Sequence, residues 1–161
     1  MTTITADWFL GTPRPTLSPS ARGSDDKYAS QRKTADPASS IPSYASAQLA
    51  RIAEECSQSG WDGYKAAPIT KKTRDLTQSL LELLPPWIPA PEIAPEADGE
   101  IAVHWYFGPR RTFGISVNES GKLHYAGLFG DVEEIHGVSK LEESIPKNIL
   151  RLLSDVLRNP V

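Results

Sequence analysis

The spacing of the apolar residues changes from helical to alternating near residue 90, and this change constrains the fold more than any other feature. Before it, apolar side chains recur every three or four positions, which places them on one face of a helix. After it, they alternate with polar or small residues, as in strands with one buried face. A last helical stretch follows the strands. This order predicts an α+β domain whose helices pack on one face of an antiparallel sheet.

Three segments carry the helical spacing. The first runs from Ser43 to about Ser59, and Gly60 is its expected stop. The second runs from Thr70 to Leu84 and ends at two prolines, which cannot continue a helix. The third covers about Pro146 to Arg158. The sequence therefore predicts two helices before the sheet and one after it.

A short linker joins the first two helices, and it contains two aromatic residues, Trp61 and Tyr64. Both are large enough to anchor the linker in the core. Cys56 lies on the apolar face of the first helix, so we expect a buried thiol and not a reactive one.

The alternating runs predict a meander of about four strands, and a short fifth strand within residues 129–140 remains open. Turns at Asp98-Gly99 and at Ser120-Gly121 join neighbouring strands. Residues paired across a sheet share a face, so the apolar sides set the register. The expected pairs are Ile93 with Val103, Val103 with Val117, Trp105 with Ile115, Val117 with Leu123, Ser116 with His124 and Ile115 with Tyr125.

Residues 1–40 are rich in Ser, Thr, Pro and charge, which predicts a disordered arm before a domain at 41–161. The arm has one apolar cluster, Trp8, Phe9 and Leu10. Two interpretations of this cluster stay open. It is either a short docking motif or an exposed group in a tail.

The bulk composition excludes several classes of protein. The net charge is −3, so no global positive field attracts nucleic acid or anionic lipid. One cysteine cannot form an internal disulfide, and no metal-site spacing or cofactor motif is present. No apolar run approaches the ~20 residues of a membrane helix, and the N-terminus does not look like a secretory signal. We therefore expect a cytoplasmic protein without metal or cofactor.

The expected register places His104, Ser116 and His124 in one row on the sheet face opposite the core. A serine between two imidazoles is a candidate nucleophile activated by a base. The sequence shows no carboxylate to orient either histidine and no oxyanion donors. Two other interpretations of this face remain: a mildly amphipathic binding surface that includes Tyr106, and a solvated face without a function.

Arg110 and Arg111 lie at the tip of a hairpin that begins with Gly108-Pro109. They are candidates for contacting a phosphate or an acidic partner. The alternative is a solvated turn, and two arginines are too few to indicate nucleic-acid binding.

One sequence pattern extends over residues 58–130. Its elements are Trp61-Asp62-Gly63-Tyr64 with Ala66 and Pro68, then Leu84-Pro85, then Asp98-Gly99-Glu100-Ile101 with Trp105. The pattern resembles one shared by small uncharacterised bacterial proteins. The resemblance implies a bacterial or mobile-element origin and a fold of this kind. It implies no activity and no functional residue.

Taken together, these features favour a non-enzymatic module that binds a protein through the outer sheet face and the Trp8-Phe9-Leu10 arm. Toxin–antitoxin pairing or interference with a host defence is a setting that would suit such a module. The alternative is a small hydrolase or transferase that uses Ser116 with His104 and His124.

Overall fold

The computed structural model describes residues 41–131 and 133–158, with side chains from residue 44 onward. The expected disordered arm and its Trp8-Phe9-Leu10 cluster lie outside the described residues, so both remain predictions. In the described part, three helices accompany one five-stranded antiparallel sheet, which confirms the α+β class. The helices are α1 (Ile41–Glu55), α2 (Lys71–Leu83) and α3 (Lys147–Arg158). The strands are β1 (Glu92–Pro95), β2 (Ile101–Tyr106), β3 (Arg111–Val117), β4 (Lys122–Phe129) and β5 (Glu133–Lys140).

Helix α2 lies where the sequence predicts it, because its ends carry clear local signals. The hydroxyl of Thr70 accepts a hydrogen bond from the backbone N–H of Thr73 at 3.2 Å, which satisfies one of the free donors of the first turn. The helix ends at Leu83, just before the two prolines.

Helix α1 ends at Glu55, and Gly60 is not its stop. The carbonyl of Cys56 accepts a hydrogen bond from the N–H of Ile69 at 2.9 Å. The linker between α1 and α2 thus folds back onto the end of α1 and satisfies a carbonyl that a longer helix would have used. Gly60 instead begins the linker turn, with a φ of 77°.

The sheet has five strands in the order β1-β2-β3-β4-β5, and not about four. The last strand, β5, is eight residues long. Its apolar residues, Ile135 and Val138, point to opposite faces, so it lacks the alternation that reveals the other strands.

The register between β2 and β3 differs from the prediction by two residues. Val103 pairs with Ile115, and Trp105 pairs with Phe113. The reason is the tight turn at Gly108–Arg111, in which the N–H of Arg111 donates to the carbonyl of Gly108 at 3.0 Å. A shift of two residues keeps every side chain on its face, so the apolar pattern cannot distinguish the two registers. The predicted pairs between β1 and β2 and between β3 and β4 are confirmed.

One face of the sheet and the helices form a single core. Phe113, Ile115 and Val117 alternate along β3 toward this core and are fully buried. Helix α3 contributes Ile149 and Leu153, and α1 and α2 complete the layer. We call the opposite side of the sheet the outer face. It carries Ala102, His104, Tyr106, Thr112, Gly114, Ser116, Lys122, His124, Ala126, Leu128, Glu134, His136, Val138 and Lys140.

The linker anchors through one of its two aromatic residues. Trp61 packs against the core, and its Nε1 donates to the carbonyl of Ala67 at 2.9 Å. Tyr64 is 87% exposed, so its predicted burial is wrong. Cys56 is buried as predicted. Burial raises the pKa of its thiol, and the nearby negative charge of Glu55 raises it further to a smaller extent.

None of the helices in the described part of the chain is long and apolar enough to cross a membrane.

Candidate functional site on the outer sheet face

The three predicted row residues do not share a row. Ser116 lies opposite His124, as predicted. His104 lies opposite Gly114, in the neighbouring row, because of the two-residue shift between β2 and β3. The structure therefore brings one serine next to one histidine and leaves the second histidine beside them on the same face.

His104 has its own electrostatic environment. Its ring is partly buried, and this burial lowers the pKa of the imidazole below its usual value, while the charge of Glu92 opposes the shift. Glu92 lies directly opposite His104 across the β1–β2 ladder. His104 is therefore held mainly as a neutral imidazole near neutral pH.

A carboxylate does orient one histidine, contrary to the expectation from sequence. The Nδ1 atom of His124 lies 3.2 Å from Oε2 of Glu100. Both side chains are largely shielded, with 29% of His124 and 13% of Glu100 exposed. Such a contact fixes the orientation of the imidazole ring.

The hydroxyl of Ser116 lies close enough to the Glu96 carboxyl for hydrogen bonding to lower the pKa of that carboxyl. Burial raises the pKa of the Glu96 carboxyl above its usual value, and the nearby charges of Asp98 and Glu100 raise it further. The hydrogen bond from Ser116 and the imidazole of His124 partly offset this rise. Ser116 is thus a hydrogen-bond donor to a carboxyl group that resists ionisation.

Three carboxylates meet at the turn between β1 and β2. One oxygen from each of Glu96, Asp98 and Glu100 lies within 4.8 Å of the others. Carboxylate oxygens are the ligands that hard cations such as Ca²⁺ or Mg²⁺ prefer. These three residues, which we call the hairpin carboxylates, are the ones that could hold a cation among the described residues.

The two halves of the sequence pattern meet at this same turn. The N–H of Ala67 donates to the carbonyl of Ala97 at 2.8 Å, which joins the linker to the hairpin. A Cβ atom at Gly99 would lie 3.3 Å from the carbonyl oxygen of Pro68, and the φ of Gly99 is 90°. In the linker, Asp62 Oδ1 accepts from the N–H groups of Tyr64 and Ala66. The residues of the sequence pattern therefore form the contact between the linker and the β1–β2 turn, and this contact positions the hairpin carboxylates.

The structure gives both arginines of the hairpin tip a partner within the chain. Arg110 forms an ion pair with Asp131, with 3.1 Å between Nη1 and Oδ1. Arg111 donates to the carbonyl of Val156 in the last turn of α3. Arg111 therefore stabilises a helix end, where a cation is favoured by the helix dipole.

The most exposed large apolar side chains of the sheet lie on the outer face. Tyr106 and Val138 are each 61% exposed. The small residues Gly114 and Ala126 lie on the central strands of this face. No described helix packs on this face, because the buried residues of all three helices belong to the core on the other side.

Comparison with protein-family models, with curated proteins and with solved structures finds no match for this chain.

Sequence reasoning missed the hairpin carboxylates, although a signal for them exists. Glu96 and Glu100 flank the three-residue turn, and the N–H of Glu96 donates to the carbonyl of Glu100 at 2.9 Å. Residues on either side of such a turn are cross-strand neighbours. The contact from Glu100 to His124, in contrast, depends on the β2–β3 register and could not be derived without it.

Proposed function

We propose that this chain is a protein-binding module of a bacterial cell or a mobile element, and that its partner docks on the outer sheet face. The observation that carries the proposal is the amphipathic character of this face, which no described helix covers. Exposed Tyr106 and Val138 flank small and imidazole side chains. Aromatic residues with a polar end are enriched where proteins bind each other.

A cytoplasmic location and a role in toxin–antitoxin pairing or interference with a host defence belong to the same proposal. They rest on the resemblance to small bacterial proteins and on the single, buried cysteine. The Trp8-Phe9-Leu10 cluster is proposed as a second contact with the same partner.

Affinity capture from the native host tests this proposal. The full chain, a shortened chain that begins at Ser40, and the variants Tyr106→Ala and Tyr64→Ala serve as baits. Tyr64 is a matched control because it is an exposed tyrosine that lies in the linker and not on the sheet. The captured partner is then purified and its affinity for each bait is measured.

We expect Tyr106→Ala to weaken binding by about tenfold or more, as for a typical hot-spot residue. Tyr64→Ala should bind like the wild type. The shortened chain should bind more weakly if the arm contributes. Equal affinities for wild type and Tyr106→Ala would contradict docking on the outer face.

A second candidate function is hydrolysis or group transfer at Ser116. One observation favours it: the Glu100–His124 pair is 3.2 Å long and lies beside Ser116 across the β3–β4 ladder. A carboxylate next to an imidazole, and an imidazole next to a serine, are the elements of a serine nucleophile that is activated by a base. His104 is not part of this set.

This candidate requires the Ser116 hydroxyl to leave Glu96 and turn toward His124. A screen with activated esters and phosphate esters tests it, with Ser116→Ala as the inactive variant and His104→Ala as the control. Activity that survives in Ser116→Ala, or an inactive wild type, would remove this function.

A further inference from the structure

Strand β5 is an open edge of the sheet. Among the described residues, it pairs with β4 on one side only. On its other side, no described residue forms a hydrogen bond with its backbone. An edge of eight residues presents a row of unpaired N–H and C=O groups, which is a template for another strand.

Two charges on the outer face of β5 have no counterpart within the described chain. Glu134 lies opposite Leu128 on β4 and forms no ion pair with any described residue. Lys140 lies opposite Lys122, a like charge, and also forms no ion pair there. Like charges opposite each other on a sheet are unfavourable. An acidic residue on the free side of Lys140 would therefore be stabilising.

The sequence of β5 is complementary to itself. When a strand pairs antiparallel with its own copy about a twofold axis perpendicular to the sheet, both copies keep the same faces. With Gly137 on the axis, Glu134 lies opposite Lys140 of the second copy, and His136 lies opposite Val138 of the second copy. This register forms two charge pairs at once and partly covers the two exposed Val138 side chains.

The neighbouring symmetric register is worse. With His136 on the axis, the two imidazoles face each other and Glu134 lies opposite Val138 of the second copy. Neither Glu134 nor Lys140 then has an oppositely charged residue directly across from it. The charges on β5 thus favour the register with Gly137 on the axis over the register with His136 on the axis.

We propose that β5 pairs with β5 of a second copy of this chain, antiparallel and with Gly137 on the twofold axis, so that one sheet runs through both copies. The outer face then extends across the dimer. This inference concerns the sheet edge and not the face, so it stands or falls independently of the partner proposed above.

Sedimentation velocity of the full chain over a range of concentrations tests the proposal. We expect a concentration-dependent dimer. Glu134→Lys should weaken the dimer by roughly tenfold, because two symmetric charge pairs become repulsive. Lys140→Glu should have a similar effect. The double variant Glu134→Lys with Lys140→Glu should restore dimerisation, since it exchanges the two charges.

Glu54→Lys is the matched control, because it makes the same change of charge at an exposed position on α1. Far-UV circular dichroism verifies that each variant is folded. A chain that stays monomeric at every concentration would overturn the proposal. It would also be overturned if Glu54→Lys weakened the dimer as much as Glu134→Lys, or if the double variant failed to restore the dimer.

Discussion

Two glycines on the core side of β4 and β5 are required by packing and not by backbone conformation. A Cβ at Gly127 would lie 2.8 Å from the ring of Phe113 and 3.2 Å from the carbonyl oxygen of Thr112. A Cβ at Gly137 would lie 2.4 Å from the hydroxyl of Tyr125. The rings of Phe113 and Phe129 and the backbone of Thr112 are the neighbours that leave no room for a side chain at Gly127.

We predict that Gly127→Ala lowers the free energy of unfolding by about 1–3 kcal/mol, because a fully buried ring must move. Gly137→Ala should lower the free energy of unfolding by less, because the new Cβ atom would contact the end of the half-buried Tyr125 side chain, which can move. Urea denaturation of both variants measures the difference. A larger loss for Gly137→Ala would contradict this packing.

His104 should titrate below its usual value of 6.5, because burial disfavours the charged imidazole. NMR titration of the histidine ring protons measures this pKa. As the folded pKa lies below the unfolded one, the contribution of His104 to stability is lost as pH falls below 6.5. A midpoint at or above 6.5 would show that Glu92 outweighs burial.

Glu96 makes stability depend on pH in the opposite direction to His104. The pKa of Glu96 in the folded state lies above the usual 4.5. Between pH 4.5 and this raised pKa, the folded state binds more protons than the unfolded state. Stability therefore falls as the pH rises through this interval. We predict that Glu96→Gln is more stable than the wild type at neutral pH. The difference should vanish below pH ~4.5. Chemical denaturation at several pH values tests this, and a less stable variant at neutral pH would contradict it.

At the scale of elements, the sequence predicts the presence of each helix, but not the end of α1 or the pairing of every strand. Thr70 and the prolines after Leu84 bound α2 through local chemistry that a single sequence reveals. The register between β2 and β3 depends on the turn at Gly108–Arg111, where Arg110 adopts a φ of 60°. Positive φ at a residue other than glycine is rare, so the sequence gives no warning of it.

Arg111 connects two elements that are distant in sequence, β3 and the last turn of α3. We predict that Arg111→Ala lowers the free energy of unfolding by about 1–2 kcal/mol, because a charged hydrogen bond to a helix end is lost. Arg151→Ala, at an exposed position of α3, should change it by less than about 0.5 kcal/mol. Thermal or urea unfolding compares the two. Equal effects would show that the contact with Val156 contributes nothing.

For the whole molecule, the α+β class and the burial of one sheet face follow from the change of apolar period near residue 90. The candidate site does not follow so simply. Glu100 reaches His124 only because the β1–β2 hairpin, the β2–β3 register and the β3–β4 register act together. The predicted β2–β3 register was wrong by two residues. It therefore placed His104 in the row of Ser116 and His124, and it gave no indication that Glu100 contacts His124. Sites built across several strands accumulate such errors, whereas a site on one helix would not.

The central claim is that the outer sheet face is the binding surface. NMR spectra of the labelled chain, recorded with and without the captured partner, test it most directly. The account predicts that the largest side-chain shifts on binding occur at Tyr106, His104 and Val138 on the outer face. Shifts confined to the helical side, at Tyr44 on α1 and Trp87 after α2, with an unchanged outer face, would contradict it.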